Sequence, residues 1–174
     1  SFNANGGSSC SSISAVLNAS ITLPISTKGG YKGTWHGYAF ASSYTVTGAK
    51  TFTAVWTEKS LNECYTSGIY EIWTTNQFKS IRNVATNTSN TYKLMANINL
   101  GCSSSSPWTP ISQFNGTLEG NNKKISGLIV RADGVSGSFG LFGINYGDIF
   151  DVTINGSVAI GGSTVSGVYA GIIC

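Results

Sequence analysis

"GSFGLFGINYGDIFDVTINGSV", residues 137–158, interleaves Gly, Ser and Asn with short apolar runs and carries only two acids, Asp148 and Asp151. Apolar runs of this length between turn residues read as strands. So many glycines beside Phe139, Phe142 and Phe150 call for an architectural explanation, because the stretch holds almost nothing reactive. The same style recurs on both sides. "YKLMANINL" (92–100) alternates, and "WTPISQFNGTLEGNNKKISGLIV" (108–130) divides short strands with Asn-Gly and Gly-Asn-Asn turns. "GVYAGII" (167–173) echoes "SFGLFGI" (138–144), which sets Gly140 and Gly171 31 residues apart. A recurrence of that size is what stacked coils predict. In such a stack Leu141, Phe142, Ile149, Val152 and Ile154 turn inward, while Gly140, Gly143 and Gly147 permit corners that need positive φ or close backbone approach. The competing reading is an antiparallel sandwich with ordinary hairpin turns.

Composition narrows the function classes. The 174 residues suffice for one domain or two small ones. Only 10% of them are charged, against roughly 25% in an average domain, so solubility rests on Ser, Thr, Asn and Gly. The net charge of +3 is spread along the chain, and the nearest basic cluster is Lys123-Lys124; this argues against a nucleic-acid partner. No apolar run approaches the roughly 18 residues of a membrane span. Ser1 begins mid-pattern without a charged leader, as in a processed chain or a piece of a longer one.

Residues 1–57 follow a different grammar. "SFNANGG" reads as a short strand ending in a Gly6-Gly7 turn, "SISAVLNASITLP" (12–24) has room for a brief helix, and "YKGTWHGYAF" (31–40) is aromatic and Gly-punctuated. "KTFTAVWTE" (50–58) then alternates with period two, with Phe52, Ala54 and Trp56 on one face and Thr51, Thr53, Val55 and Thr57 on the other. Residues 58–70 read as a short connector. In "IYEIWTTNQFKSIRNVA" (69–85), Ile72, Phe78, Ile81 and Val84 fall at roughly helical spacing behind Thr74 or Thr75 as N-cap. A helix there would cover the first coil of a solenoid, whose apolar interior and strand edge are otherwise open.

Candidate chemistry is sparse. The acids are Glu58, Glu63, Glu71, Glu119, Asp133, Asp148 and Asp151. A glycosidase or polysaccharide lyase needs carboxylates, or a carboxylate with Lys or Arg, gathered on one face. Asp148 and Asp151 are the only close pair, and three apart in a strand they point to opposite faces unless Ile149 or Phe150 lies at a bend. His36 lies among Tyr31, Trp35, Tyr38 and Phe40 with no recognisable nucleophile motif, so it reads as a packed or surface residue. The aromatics themselves read as core, with a sugar-stacking platform as the alternative. "EGNNKK" (119–124) lacks phosphate-loop spacing and reads as a turn. Asn18, Asn87, Asn115 and Asn155 lie in glycosylation sequons. Cys10, Cys64, Cys102 and Cys174 form no CxxC pair, and with one histidine they argue against zinc. Their even count in this composition favours disulfides and an oxidising compartment, with three connectivities possible and buried thiols as the alternative. No catalytic, metal or cofactor set is expected.

Two resemblances sharpen this. "FNANGG", "ITLP", "GGYKGTWHGYAF" and "TFTAVWT", in that order, resemble the internalin-type B repeat, a small β-grasp-like module of extracellular bacterial proteins. "LMANINL", "WTPI", "FNGTLEGNNKKISGLIV", "GLFG" and "GDIFDVTING" resemble the parallel β-helices of bacterial surface adhesins that carry the GLUG motif, with Asn97 and Asn99 where that family more often has acids. Together they imply a mainly β chain: a β-grasp-like module (1–58), a connector (59–70), and a right-handed parallel β-helix with a short N-terminal capping helix (71–174) that is expected to continue beyond Cys174. The β-grasp arrangement sets first and last strands side by side and parallel, which implies that Cys10 pairs with Cys64. The implied function is a non-enzymatic secreted or cell-surface adhesin, stalk or display module that meets glycans or proteins of a host or neighbouring cell. The alternatives are a self-assembling filament or surface-layer subunit, joined through the exposed last coil, and a β-helix carbohydrate-active enzyme.

Overall fold

The computed structural model describes residues 1–133, 136–161 and 167–173. It is mainly β and divides into two compact units, residues 1–59 and 60–174.

Unit 1 contains β1 (Phe2–Asn3), β2 (Ser20–Thr22), β3 (Tyr31–Trp35), β4 (Ser43–Thr45) and β5 (Phe52–Glu58). The central strand is β5, parallel to β1 through Phe2↔Phe52 and antiparallel to β3 through Trp35↔Ala54. Its alternation is realised as read: Phe52 and Ala54 are buried, while Thr53, Val55 and Thr57 are exposed. The buried face carries Trp35, fully enclosed, with Phe2, Phe40, Tyr38 and Tyr44 packed around it. Gly33 has a steric role here. A Cβ at Gly33 would collide with the Trp56 indole, which lies over this backbone and donates its Nε1–H to the Ala4 carbonyl (2.9 Å).

The brief helix allowed over residues 12–24 does not form. Residues 11–16 are irregular, Asn18 takes a left-handed φ of 67°, and Ser20–Thr22 pair with β4 instead. The β-branched Ile21 and Thr22 suit a pleated strand better than a helical turn, and Val16 and Leu17 are left exposed.

Unit 2 opens with β6 (Tyr65–Thr66) and β7 (Ile69–Ile72), an antiparallel pair that begins within the stretch read as connector and runs two residues past its end. Then come α1 (Thr75–Ser80), β8 (Thr91–Leu94), β9 (Ile98–Asn99), β10 (Ile111–Phe114), β11 (Thr117–Asp133), β12 (Gly137–Phe139), β13 (Phe142–Asn145), β14 (Asp148–Gly161) and β15 (Val168–Ala170). The helix is shorter than the apolar spacing suggests. A 3₁₀ turn replaces it over Ile81–Asn83, and Ile72 belongs to β7. Thr74 is the cap, its side chain accepting from the Gln77 N–H (3.2 Å), while Phe78 and Ile81 are fully buried. Thr74→Ala is expected to destabilise the chain by about 1 kcal/mol, read from a urea titration with Thr74→Ser as the near-neutral control.

The later strands pair in parallel. β7 lies beside β8, β8 and β9 beside β11, and β11 beside β14; β10 pairs with β13 and β12 with β15. In-register partners are Tyr70↔Tyr92, Tyr92↔Leu118 and Leu118↔Ile149. Ile111↔Phe142, Thr117↔Asp148 and Phe139↔Ala170 each join residues 31 apart, the interval of the Gly140 to Gly171 echo. An aromatic row runs through the interior: Tyr70 on Tyr92 (5.3 Å), Tyr92 on Phe114 (5.5 Å) and Phe114 on Phe142 (4.3 Å). Leu141 and Phe142 are fully buried, with Ile149, Val152 and Ile154 packed against the same core. Asparagines finish the turns between strands: the Asn97 amide accepts from Lys124 N–H, Asn99 from Gly101 N–H, and Asn121 donates to the Leu94 carbonyl.

Burial raises the Tyr92 phenol above its ordinary value; the Asn90 side-chain hydrogen bond opposes this and the neighbouring Tyr70 adds to it. The hydroxyl itself donates to the Val84 carbonyl (2.7 Å). Stability from this group is therefore present below the unfolded phenol's ordinary pKa and is lost as pH rises through the higher folded value. An alkaline titration of wild type against Tyr92→Phe should show a steeper loss in wild type above about pH 10.

Candidate interaction surface

Among the described residues, β13, β14 and β15 each have a strand neighbour on one side only. These strands and the turns beside them carry large apolar side chains in solvent: Ile144, Tyr146, Phe150, Val158, Ile160, Tyr169 and Ile173, with Tyr146 at 71% and Tyr169 at 69% exposure. An open groove of about 630 Å³ runs between Ile144 and Asn145 on one side and Tyr169 and Ile173 on the other. The turn into β14 is fixed by Asn145, whose side chain both accepts from the Gly147 N–H and donates to the Gly147 carbonyl. Gly143 and Gly147 act here by close approach, not positive φ: a Cβ on Gly143 would lie 2.8 Å from the Ser112 carbonyl oxygen, and one on Gly147 would strike the Gly116 carbonyl. Gly140 and Gly171 are also absent from the left-handed residues.

The two close carboxylates straddle a bend. Asp148 sits in register with Thr117, and Asp151 takes φ 53° where the β11–β14 pairing shifts between Glu119 and Lys123. Both are exposed. The backbone of Asp151 closes onto Gly120, where a Cβ would collide with it, so the bend positions main chain as well as the side chain. His36 is exposed at the end of β3, its N–H bonded to the Thr53 carbonyl. The neighbouring Trp35, Tyr38 and Phe40 are core residues.

No disulfide joins Cys10, Cys64 and Cys102, which are thiols. Cys10 lies near the Ile25 carbonyl (3.5 Å), Cys64 accepts from the Gln77 amide (3.5 Å), and Cys102 lies near the Leu100 carbonyl (4.0 Å). Cys174 falls outside the described residues. Of the sequons, Asn18, Asn87 and Asn155 are exposed. Asn115 is half-buried, and its amide is engaged with the Thr86 carbonyl and the Gln113 side chain. Among the described residues no three His, Cys, Asp or Glu side chains converge as metal ligands, and no helix is long and apolar enough to cross a membrane.

No protein-family model, curated protein or solved structure matches the chain.

The exposed Tyr146 and Tyr169 were not singled out by sequence. Alternation says which side chains share a face, but only the pairing says that the last strands lack a neighbour. A usable signal was present nonetheless: Tyr146 stands directly before Gly147, and Tyr169 lies midway between Gly167 and Gly171, in turn-rich stretches.

Proposed function

We propose that this chain is a non-enzymatic extracellular surface protein that serves as an adhesin, stalk or display module. In this reading unit 1 is a β-grasp-like module akin to the internalin-type B repeat. Unit 2 is a right-handed parallel β-helix of the GLUG-containing kind, with α1 between its strands β7 and β8. The observation that carries the reading is the parallel succession β7, β8, β11, β14 together with the Tyr70–Tyr92–Phe114–Phe142 row, which runs from β7 and β8 to the parallel pair β10 and β13. A stack held by interior rows and turn asparagines has stiff outer faces free to carry recognition, and parallel crossovers within one sheet are right-handed in nearly all proteins. The decisive assay places the purified chain on beads and offers cells and a glycan panel. Retention of one of them without chemical change supports the reading. Release of reducing ends or unsaturated products that disappears in Asp148→Asn or Asp151→Asn overturns it in favour of a carbohydrate-active enzyme.

The open edges of β13, β14 and β15 favour a second reading, self-association through that end. Unpaired strand edges with exposed apolar residues drive strand addition. Light scattering at rising concentration should then show assembly, and Ile160→Lys, a solvent-facing position, should abolish it at little cost in stability. A wild-type chain that stays monomeric at high concentration eliminates this second reading.

A further inference from the structure

We infer that unit 1 carries a binding cleft for an acidic polysaccharide, an inference that rests on the adhesin reading and names its ligand class. Divided by unit, the charge is not evenly spread. Unit 2 holds Lys79, Arg82, Lys93, Lys123, Lys124 and Arg131 against Glu63, Glu71, Glu119, Asp133, Asp148 and Asp151, which cancel. Unit 1 holds Lys28, Lys32, Lys50 and Lys59 against Glu58 alone, so the whole net charge of +3 resides in its 59 residues. Two of those lysines, Lys28 and Lys50, line one open cleft of about 570 Å³ together with Asn5, Tyr31, His36 and the β5 segment from Thr51 to Trp56. None of the residues lining it is acidic.

The lysines are held by rings. Lys28 Nζ lies 4.5 Å from the centre of Tyr31. Lys50 Nζ lies 4.8 Å from Tyr38 and 5.1 Å from both Tyr44 and Phe52. A ring quadrupole orients an ammonium without neutralising it, so both charges remain available to an anion while much of their ordering cost is met in advance. Thr51, just before β5, and Thr53 and Val55 on it are exposed and line the same cleft, the Thr51 hydroxyl sharing a hydrogen bond with that of Ser1 (2.9 Å). Two cations ordered against rings and lining one cleft, with threonine side chains and a Tyr beside them, match a sugar chain that carries anionic groups. They do not match duplex nucleic acid, whose dense phosphate array calls for a broad basic stripe.

The test is isothermal titration of the full chain, at low and at physiological salt, with polygalacturonate for the carboxylate form, heparin oligosaccharide for the sulfate form, and dextran as neutral control. Binding of a polyanion that weakens with salt, with dextran silent, is expected, and the tighter of the two identifies the anionic group. Lys28→Gln should weaken it by about tenfold, the size of a lost charge-assisted hydrogen bond, and Lys28→Arg should restore most of the loss. Lys50→Gln should weaken it as much, but Lys50 also packs on three rings. Lys28, which touches Tyr31 at the surface, therefore keeps the test valid should that variant misfold. Lys79→Gln with Arg82→Gln in unit 2 should leave affinity unchanged. Equal binding of dextran, no polyanion binding by the folded chain, tighter binding of duplex DNA, or a loss that follows the unit 2 pair overturns the inference. Should cells still be retained on the beads in that event, the adhesin reading survives and only the ligand assignment falls.

Discussion

Phe114→Ala is expected to lower the unfolding free energy by about 3 to 5 kcal/mol, the range for emptying a large aromatic site in a packed core. Phe114 is fully buried, and its ring lies 4.3 Å from Phe142 and 5.5 Å from Tyr92. Deleting it therefore removes two ring pairs and interrupts the row that ties β8, β10 and β13 together. Against a total stability of about 5 to 15 kcal/mol for a typical protein, that is a large share, equivalent to a melting shift on the order of 10 °C. The informative comparison is Phe150→Ala. Phe150 is the same side chain on β14, but 46% exposed at the open edge, so its removal should cost about 1 kcal/mol or less. Urea unfolding of both variants by far-UV circular dichroism reads the difference, and equal losses would show that the Tyr70–Phe142 row is not the spine of unit 2.

That contrast between two phenylalanines marks the limit of what the sequence makes legible. Alternation in residues 50–58 anticipates the buried and exposed faces of β5, since a strand's period of two needs no knowledge of its neighbours. The Gly140 to Gly171 interval anticipates the spacing of the partners Ser138↔Tyr169 and Phe139↔Ala170, because strands paired side by side in parallel repeat the same local pattern. Thr74 is visible as a cap because the polar residue stands directly before a helical pattern. Other features depend on partners distant in sequence. Gly143 is required by the Ser112 carbonyl, and the bend at Asp151 by the register shift against β11. The cleft of unit 1 joins Lys28 to Lys50 only once β5 lies between β1 and β3. Residues 12–24 misled because their apolar spacing suits a short helix, while the partner that makes Ser20–Thr22 a strand, β4, lies more than 20 residues on. Phe142 and Phe150 sit in one continuous stretch of similar composition; the local pattern turns Phe142 and Ile149 inward and so leaves Phe150 outward, but nothing local says that Phe150 lies on a strand with an open edge.

The largest effect in unit 1 is expected from Trp35→Ala. Trp35 is fully buried between Phe2 (5.1 Å) and Phe40 (5.2 Å), and its Nε1–H donates to the Pro24 carbonyl at 2.8 Å. Removing the side chain empties the centre of a small core, at about 3 to 5 kcal/mol, and leaves that carbonyl without its donor, at about 1 to 3 kcal/mol more if water does not reach it. A unit of 59 residues draws only about 3 to 5 kcal/mol from a single core of this size. The loss therefore equals or exceeds the reserve, and unit 1 should be unfolded at room temperature, with collapse of the dispersed amide resonances of residues 1–59. Trp35→Phe retains a ring and forfeits the hydrogen bond, so it should weaken unit 1 without abolishing it. His36→Ala, one residue along and exposed, should change stability by no more than about 0.5 kcal/mol. A folded unit 1 in Trp35→Ala, with a loss no larger than that of His36→Ala, would mean that the aromatic cluster is not what holds β1, β3 and β5 together. The polyanion cleft would then have to be sought elsewhere, since its Lys50 is ordered by three rings, Tyr38, Tyr44 and Phe52, that pack against that same cluster.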